Sequence, residues 1–175
     1  MLVEIILCIK IGLDDFAEMD ASLKYGIGGV NYSVKEFFEC PMPKSLQGKP
    51  IHCSEMAALM VAIFLWSDPK HNDRKSGGIS KKNLKFKTDN MAVKSSINTG
   101  KAADKFLLTG MRFVHYHLAI RDAKLTLEYI KSEDNKIADK LSRGSPEIVV
   151  ELETKGFKRK IVDDAMIVKL VNTDI

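Results

Sequence analysis

Met19 to Val30 reads M-D-A-S-L-K-Y-G-I-G-G-V. Phe16 to Ala21 is a β-prone run with Asp20 near its end, and Ser22-Leu23-Lys24 is turn-like. Tyr25 to Val34 then reads as a second strand, in which Gly26, Gly28 and Gly29 permit close backbone approach or a bulge. Lys35 to Cys40 gives a third strand, ended by Pro41 and Pro43. Three strands with short connections predict an antiparallel meander.

Working outward, Ser54 to Ser67 carries Met56, Leu59, Met60, Ile63 and Phe64 at helical spacing, with Pro69 just past its end. Asn83 to Thr88 alternates, Leu84 and Phe86 facing one way and Lys85 and Lys87 the other, as a half-exposed strand does. Met91 to Asn98 fits a short helix. Ala102 to Arg121 fits a longer one, with Gly110 as a potential break. Leu125 to Ile130 is a further strand, and Asn135 to Ser142 a helix closed by Gly144. The order β-β-β-α-β-α-α-β-α predicts an α/β fold. Its central sheet should be five-stranded and mixed, the first three strands antiparallel and helices packed on it.

At 175 residues with 45% hydrophobic content, the chain suffices for one buried core and is short for two full domains. A charged fraction of 29% without a biased tract argues against disorder. A net charge of +4 permits a polyanionic partner without demanding one. Cys8, Cys40 and Cys53 are widely spaced and form no C-x-x-C pair, so free thiols in a reducing compartment are expected rather than a disulfide framework or a zinc cluster. Met1 to Leu13 is apolar but interrupted by Glu4 and Lys10, and lacks a basic leader and a cleavage site. Met56 to Trp66 is too short for a bilayer. No membrane association and an intracellular location, cytoplasmic or nuclear, are expected.

Four carboxylates stand at informative places. Taken singly, Asp20 fits a strand-end turn, Glu55 a residue complementing a helix dipole in the first turn, and Asp89 a helix N-cap. Asp139 sits inside the last helix and has no capping role. Taken together, groups at strand ends and following helix starts converge on one crevice of an open α/β sheet. Acids gathered there repel unless cations neutralise them. Oxygen ligands suit Mg²⁺ or Mn²⁺, and two such ions activate water at a phosphodiester.

Met19 to Val30 resembles the first-strand motif of ribonuclease H domains, an aspartate leading into a glycine-rich second strand. C-S-E-M-A-A-L at Cys53 to Leu59 resembles their first-helix motif, and T-D-N-M-A-V at Thr88 to Val93 their strand-four aspartate. E-D-N-K-I-A-D-K-L-S-R at Glu133 to Arg143 resembles their last-helix motif. All four follow the family's order, and T-D-N with A-D-K-L-S-R points to the reverse transcriptase-associated type found in retrotransposon polyproteins.

The resemblance implies a ribonuclease H-like catalytic domain over residues 1–144. Residues 1–13 would be an N-terminal extension packed on it, and 145–175 a C-terminal extension of unassigned structure. It implies hydrolysis of the RNA strand of an RNA–DNA hybrid with two divalent ions, and an adjacent reverse transcriptase domain as a partner. Carried over, Asp20 is shared by both metals, Glu55 and Asp89 are further ligands, and Asp139 completes the second metal site. Ser22, Tyr25, Lys85, Lys87, Asn90 and Asn135 are candidates for nucleic-acid contact, with Arg74, Lys75, Lys81 and Lys82 as further cations. The mobile histidine that cellular members carry before the last helix is missing from Lys131-Ser132-Glu133-Asp134. The competing readings are an idle module of the same fold that binds or tethers, and a DNA-acting relative.

Overall fold

The computed structural model describes residues 14–67 and 82–172. The expected N-terminal extension and the cations Arg74, Lys75 and Lys81 lie outside the described residues. The strands are β1 (Asp14–Ser22), β2 (Gly26–Asn31), β3 (Glu36–Pro41), β4 (Lys82–Thr88), β5 (Ala123–Tyr129) and β6 (Lys158–Lys160). The helices are α1 (Ile51–Trp66), α2 (Met91–Thr99), α3 (Lys105–Ile120), α4 (Lys136–Ser142), α5 (Pro146–Thr154) and α6 (Asp164–Val171).

The sheet runs β5-β4-β1-β2-β3-β6. β1, β2 and β3 pair antiparallel, as the meander requires, while β4 joins β1 and β5 joins β4 in parallel. This is the mixed-sheet α/β architecture expected from the sequence, with one correction: the sheet has six strands, not five. The sixth, β6, lies beyond the meander and joins β3 in parallel. Its sequence Lys158-Arg159-Lys160 has no apolar period to announce it. Arg159 Nη2 lies 2.7 Å from Glu39 Oε1 and Lys160 Nζ 3.1 Å from Glu36 Oε1, so ion pairs to β3 support it.

Strand alternation sends side chains to two cores. Ala17, Met19, Phe38, Leu84 and Phe86 join α1, α3 and α6 in the larger one. Val30 and Phe37 meet Leu141 of α4 and Ile148 and Leu152 of α5 on the other side. α1 is buried nearly all round, and its Trp66 is packing: the ring sits 5.6 Å from Phe38 and 6.1 Å from Phe86, and its N–H donates to Glu36. α3 runs unbroken through Gly110, where a Cβ would lie 2.3 Å from Met56 Cγ; the glycine lets two helices touch rather than breaking one.

Helix α1 begins at Ile51, behind Pro50, with no side-chain cap. Glu55 therefore stands beyond the first turn rather than in it, and the helix-dipole role falls away. Among the described residues, no helix is long and apolar enough to cross a membrane.

Candidate active site

Asp20 lies near the end of β1, Asp89 just past the end of the adjacent parallel β4, and Glu55 on the α1 face that crosses them. One carboxylate oxygen from each lies within 4.8 Å of the others. Asp20 and Glu55 are buried, at 5% and 3% exposure, while Asp89 is half-buried.

The backbone makes this convergence possible at Gly28, which faces Asp20 across the β1–β2 ladder. A Cβ on Gly28 would lie 2.6 Å from both Leu141 Cβ and Ser142 N, so only glycine lets α4 come down onto β2. That approach delivers the Ser142 hydroxyl, which donates to Asp20 Oδ2 at 2.6 Å. The Ala21 N–H donates to Glu55 Oε1 at 3.1 Å, and the Ser132 hydroxyl to Asp89 Oδ2 at 2.6 Å. Glu55 Oε2 is buried with no hydrogen-bond partner in the protein.

Burial pushes the Asp20 carboxyl up to about 7; the Ser142 bond opposes this, and the charges of Asp89 and Asp139 add to it. Glu55 is raised well above the ordinary carboxylate range by burial first and then by Asp20 and Asp89. Without a cation, both buried acids hold their protons more tightly than free carboxyls do. With an all-oxygen donor set and an unsatisfied buried carboxylate oxygen, the trio fits a hard divalent ion such as Mg²⁺ or Mn²⁺.

Asp139 stands outside the trio. Its Oδ1 accepts from Arg143 Nε at 2.7 Å, an i,i+4 pair on α4, with 37% of the Asp139 side chain exposed. It remains near enough to raise the Asp20 carboxyl.

The other candidate residues are dispersed. Ser22 ends β1, and Tyr25 is exposed in the following turn, Lys24 Nζ lying 5.1 Å from its ring centroid. Tyr25 also lines a cavity of about 350 Å³ with Pro41, Leu141, Ser142, Arg143 and Arg159, so this cleft touches the acid site through Ser142. Lys85 Nζ lies 3.6 Å from Glu128 Oε1, and Lys87 Nζ 4.7 Å from the Phe16 ring centroid. The side chain of Lys82 lies outside the described residues.

Two asparagines are structural where they stand. Asn90 caps α2, its Oδ1 accepting from the Ala92 and Val93 N–H groups at 3.1 Å each, which replaces the capping role considered for Asp89. Asn135, a candidate for nucleic-acid contact, is fully buried, and its Nδ2 donates to Met19 O at 3.1 Å, pinning the start of α4 to β1. Ser132 and Ser142 are partners of the acids that the sequence reading did not single out. Both lie in or beside the last-helix motif, but a serine's tertiary partner leaves no local signal.

No protein-family model matches the chain, and no curated protein matches it. A solved RNase H1 is similar to it. That structure, from the halophilic archaeon Halobacterium salinarum, is 14% identical with a TM-score of 0.48, the match covering 73% of this chain and 93% of that one.

Proposed function

We propose that the chain is a divalent-metal-dependent nuclease of the ribonuclease H type that hydrolyses the RNA strand of RNA–DNA hybrids. The observation that carries this reading is the convergence of Asp20, Glu55 and Asp89 from three separate elements, with buried Glu55 Oε2 left without a protein partner. Asp20, Glu55 and Asp89 would hold Mg²⁺ or Mn²⁺, and Asp139 would complete a second site by exchanging its pairing with Arg143. Bound there, the ions supply charge neutralisation at a phosphodiester and lower the pKa of water.

The chain's own groups do the positioning. Ser142 and Ser132 hold the Asp20 and Asp89 carboxylates by short hydrogen bonds. Gly28 and Asn135 seat α4 against the sheet. Tyr25 and the cleft beside it offer a surface for the nucleotide flanking the metals, and Ser22, Lys85 and Lys87 for its backbone. The four motifs, in the order and type of retroelement domains, support an origin beside a reverse transcriptase, whose grip would supplement a modest net charge of +4.

An idle module of the same fold is the second reading. Two acids buried against mutual repulsion speak against it, because a scaffold gains nothing from holding them together. Labelled RNA–DNA hybrid, duplex RNA and duplex DNA of one sequence, each incubated with Mg²⁺, Mn²⁺ or chelator, separate the readings. Metal-dependent cleavage confined to the RNA of the hybrid is expected. Binding without cleavage in either metal would establish the idle module, and cleavage of duplex DNA the DNA-acting relative.

A further inference from the structure

A second group of metal-ligating side chains lies apart from the acid trio. His52 and Cys53 occupy the first turn of α1, and Asp104 is the N-cap residue of α3. One ligand atom from each, a histidine ring nitrogen, a thiol sulfur and a carboxylate oxygen, lies within 4.8 Å of the others. We propose that His52, Cys53 and Asp104 form a site for a borderline-soft transition-metal ion of the Zn²⁺ class, joining the start of α1 to the start of α3.

The donor set decides the class of ion. Nitrogen, sulfur and oxygen together suit Zn²⁺ or Co²⁺ and not Mg²⁺, which takes oxygen ligands. The two clusters of this fold therefore differ in chemistry, one all-carboxylate and one mixed.

Local geometry already holds the donors in place. Asp104 Oδ1 accepts from the Leu107 N–H at 2.9 Å as the α3 cap, which leaves Oδ2 for His52 Nε2, 2.6 Å away. The α1 backbone aims Cys53 inward, where it is 4% exposed, while His52 is half-buried. Tetrahedral zinc ligands stand about 3.3–3.6 Å apart, given bond lengths of about 2.0–2.3 Å. The His52–Asp104 pair would open by somewhat less than about 1 Å and the sulfur would close by up to about 1.2 Å, both within the reach of a rotamer adjustment. An ion would take the place of the His52–Asp104 hydrogen bond and displace the Cys53 thiol proton to solvent, and a fourth position is left for water or another donor.

Such an ion would fasten two helices that otherwise meet through side-chain packing and the His52–Asp104 pair, and would do so in the turn of α1 that leads to Glu55. Its expected signature is stabilisation by mass action, with a melting temperature that rises with Zn²⁺ concentration.

Cobalt titration of the full chain tests this, because Co²⁺ bound to a thiolate gives a near-ultraviolet charge-transfer band that carboxylate ligation does not. The wild-type protein and Asp20→Asn, which removes a ligand of the acid trio, should both develop the band to the same final intensity and lose it on adding Zn²⁺. Cys53→Ser should abolish the band. His52→Ala, at a half-buried position, should weaken Co²⁺ binding at least tenfold. A wild-type protein without the band overturns the proposal, as does an undiminished band in Cys53→Ser, which would assign it to another thiol. Unchanged affinity in His52→Ala would also overturn it, leaving His52 and Asp104 as an ion pair.

Discussion

Replacing Asp20 by Asn should make the metal-free protein more stable, and increasingly so as the pH rises. Burial lifts the Asp20 carboxyl from its ordinary 3.8 to about 7, so the folded protein holds that proton more tightly than the unfolded chain does. A raised folded pKa contributes stability that is complete below the unfolded value and is lost as pH climbs through the folded one. The loss for Asp20 therefore accumulates between roughly pH 4 and 7, and at about 1.4 kcal/mol per pH unit reaches about 4 kcal/mol. Glu55, raised in the same direction, adds to it. Asn removes the ionisation while keeping an acceptor for Ser142, so the advantage of Asp20→Asn should grow from near zero at pH 4 to about 4 kcal/mol at pH 8. Urea unfolding followed by circular dichroism, in chelator at pH 4, 6 and 8, measures the difference. Millimolar Mg²⁺ should then restore wild-type stability at pH 8 and leave the variant unmoved. Parallel pH curves for the two proteins would refute the reasoning, since they would mean that Asp20 ionises as freely in the fold as in the open chain.

Asp139→Asn should barely move the unfolding midpoint, because the exposed Asp139–Arg143 pair is worth roughly 0.3–0.5 kcal/mol, yet it should reduce hybrid cleavage by orders of magnitude; near-normal turnover would return Asp139 to a surface ion pair. Gly28→Ala places a Cβ 2.6 Å from Leu141 and Ser142, so α4 must move off β2, at about 1–3 kcal/mol by denaturation and with loss of cleavage; wild-type behaviour would contradict the close approach. Asn135→Ala leaves Met19 O without its side-chain donor in a buried place and should destabilise by about 1–3 kcal/mol, measurable by thermal melting; an unchanged melt would remove the clamp from the account.

The meander and the helix–strand order were legible because they rest on period-two and period-3.6 patterns with glycine and proline punctuation. Asp20, Glu55, Asp89 and Asp139 were legible because each is embedded in a motif, and three of them do converge. The start of α1 was less so: it follows Pro50 without a polar cap, so the expected boundary fell at Ser54. β6 escaped because three cationic residues carry no strand pattern, and only pairing with β3 and ion pairs to Glu36 and Glu39 make it a strand. Asn135 was a candidate for nucleic-acid contact, and its burial as a clamp between α4 and β1 depends on tertiary packing that leaves no local pattern. The His52–Cys53–Asp104 group had no spacing signal at all, since its ligands come from two helices brought together only by the fold.

Everything proposed for catalysis depends on Asp20, Glu55 and Asp89 forming a divalent-metal centre. A crystal of the protein soaked in Mn²⁺ and measured for anomalous scattering tests it directly. An anomalous peak is expected within coordination distance of all three carboxylates, absent from an Asp20→Asn crystal soaked in the same way. A wild-type crystal with no peak at the trio, at a Mn²⁺ concentration that saturates cleavage, would contradict it.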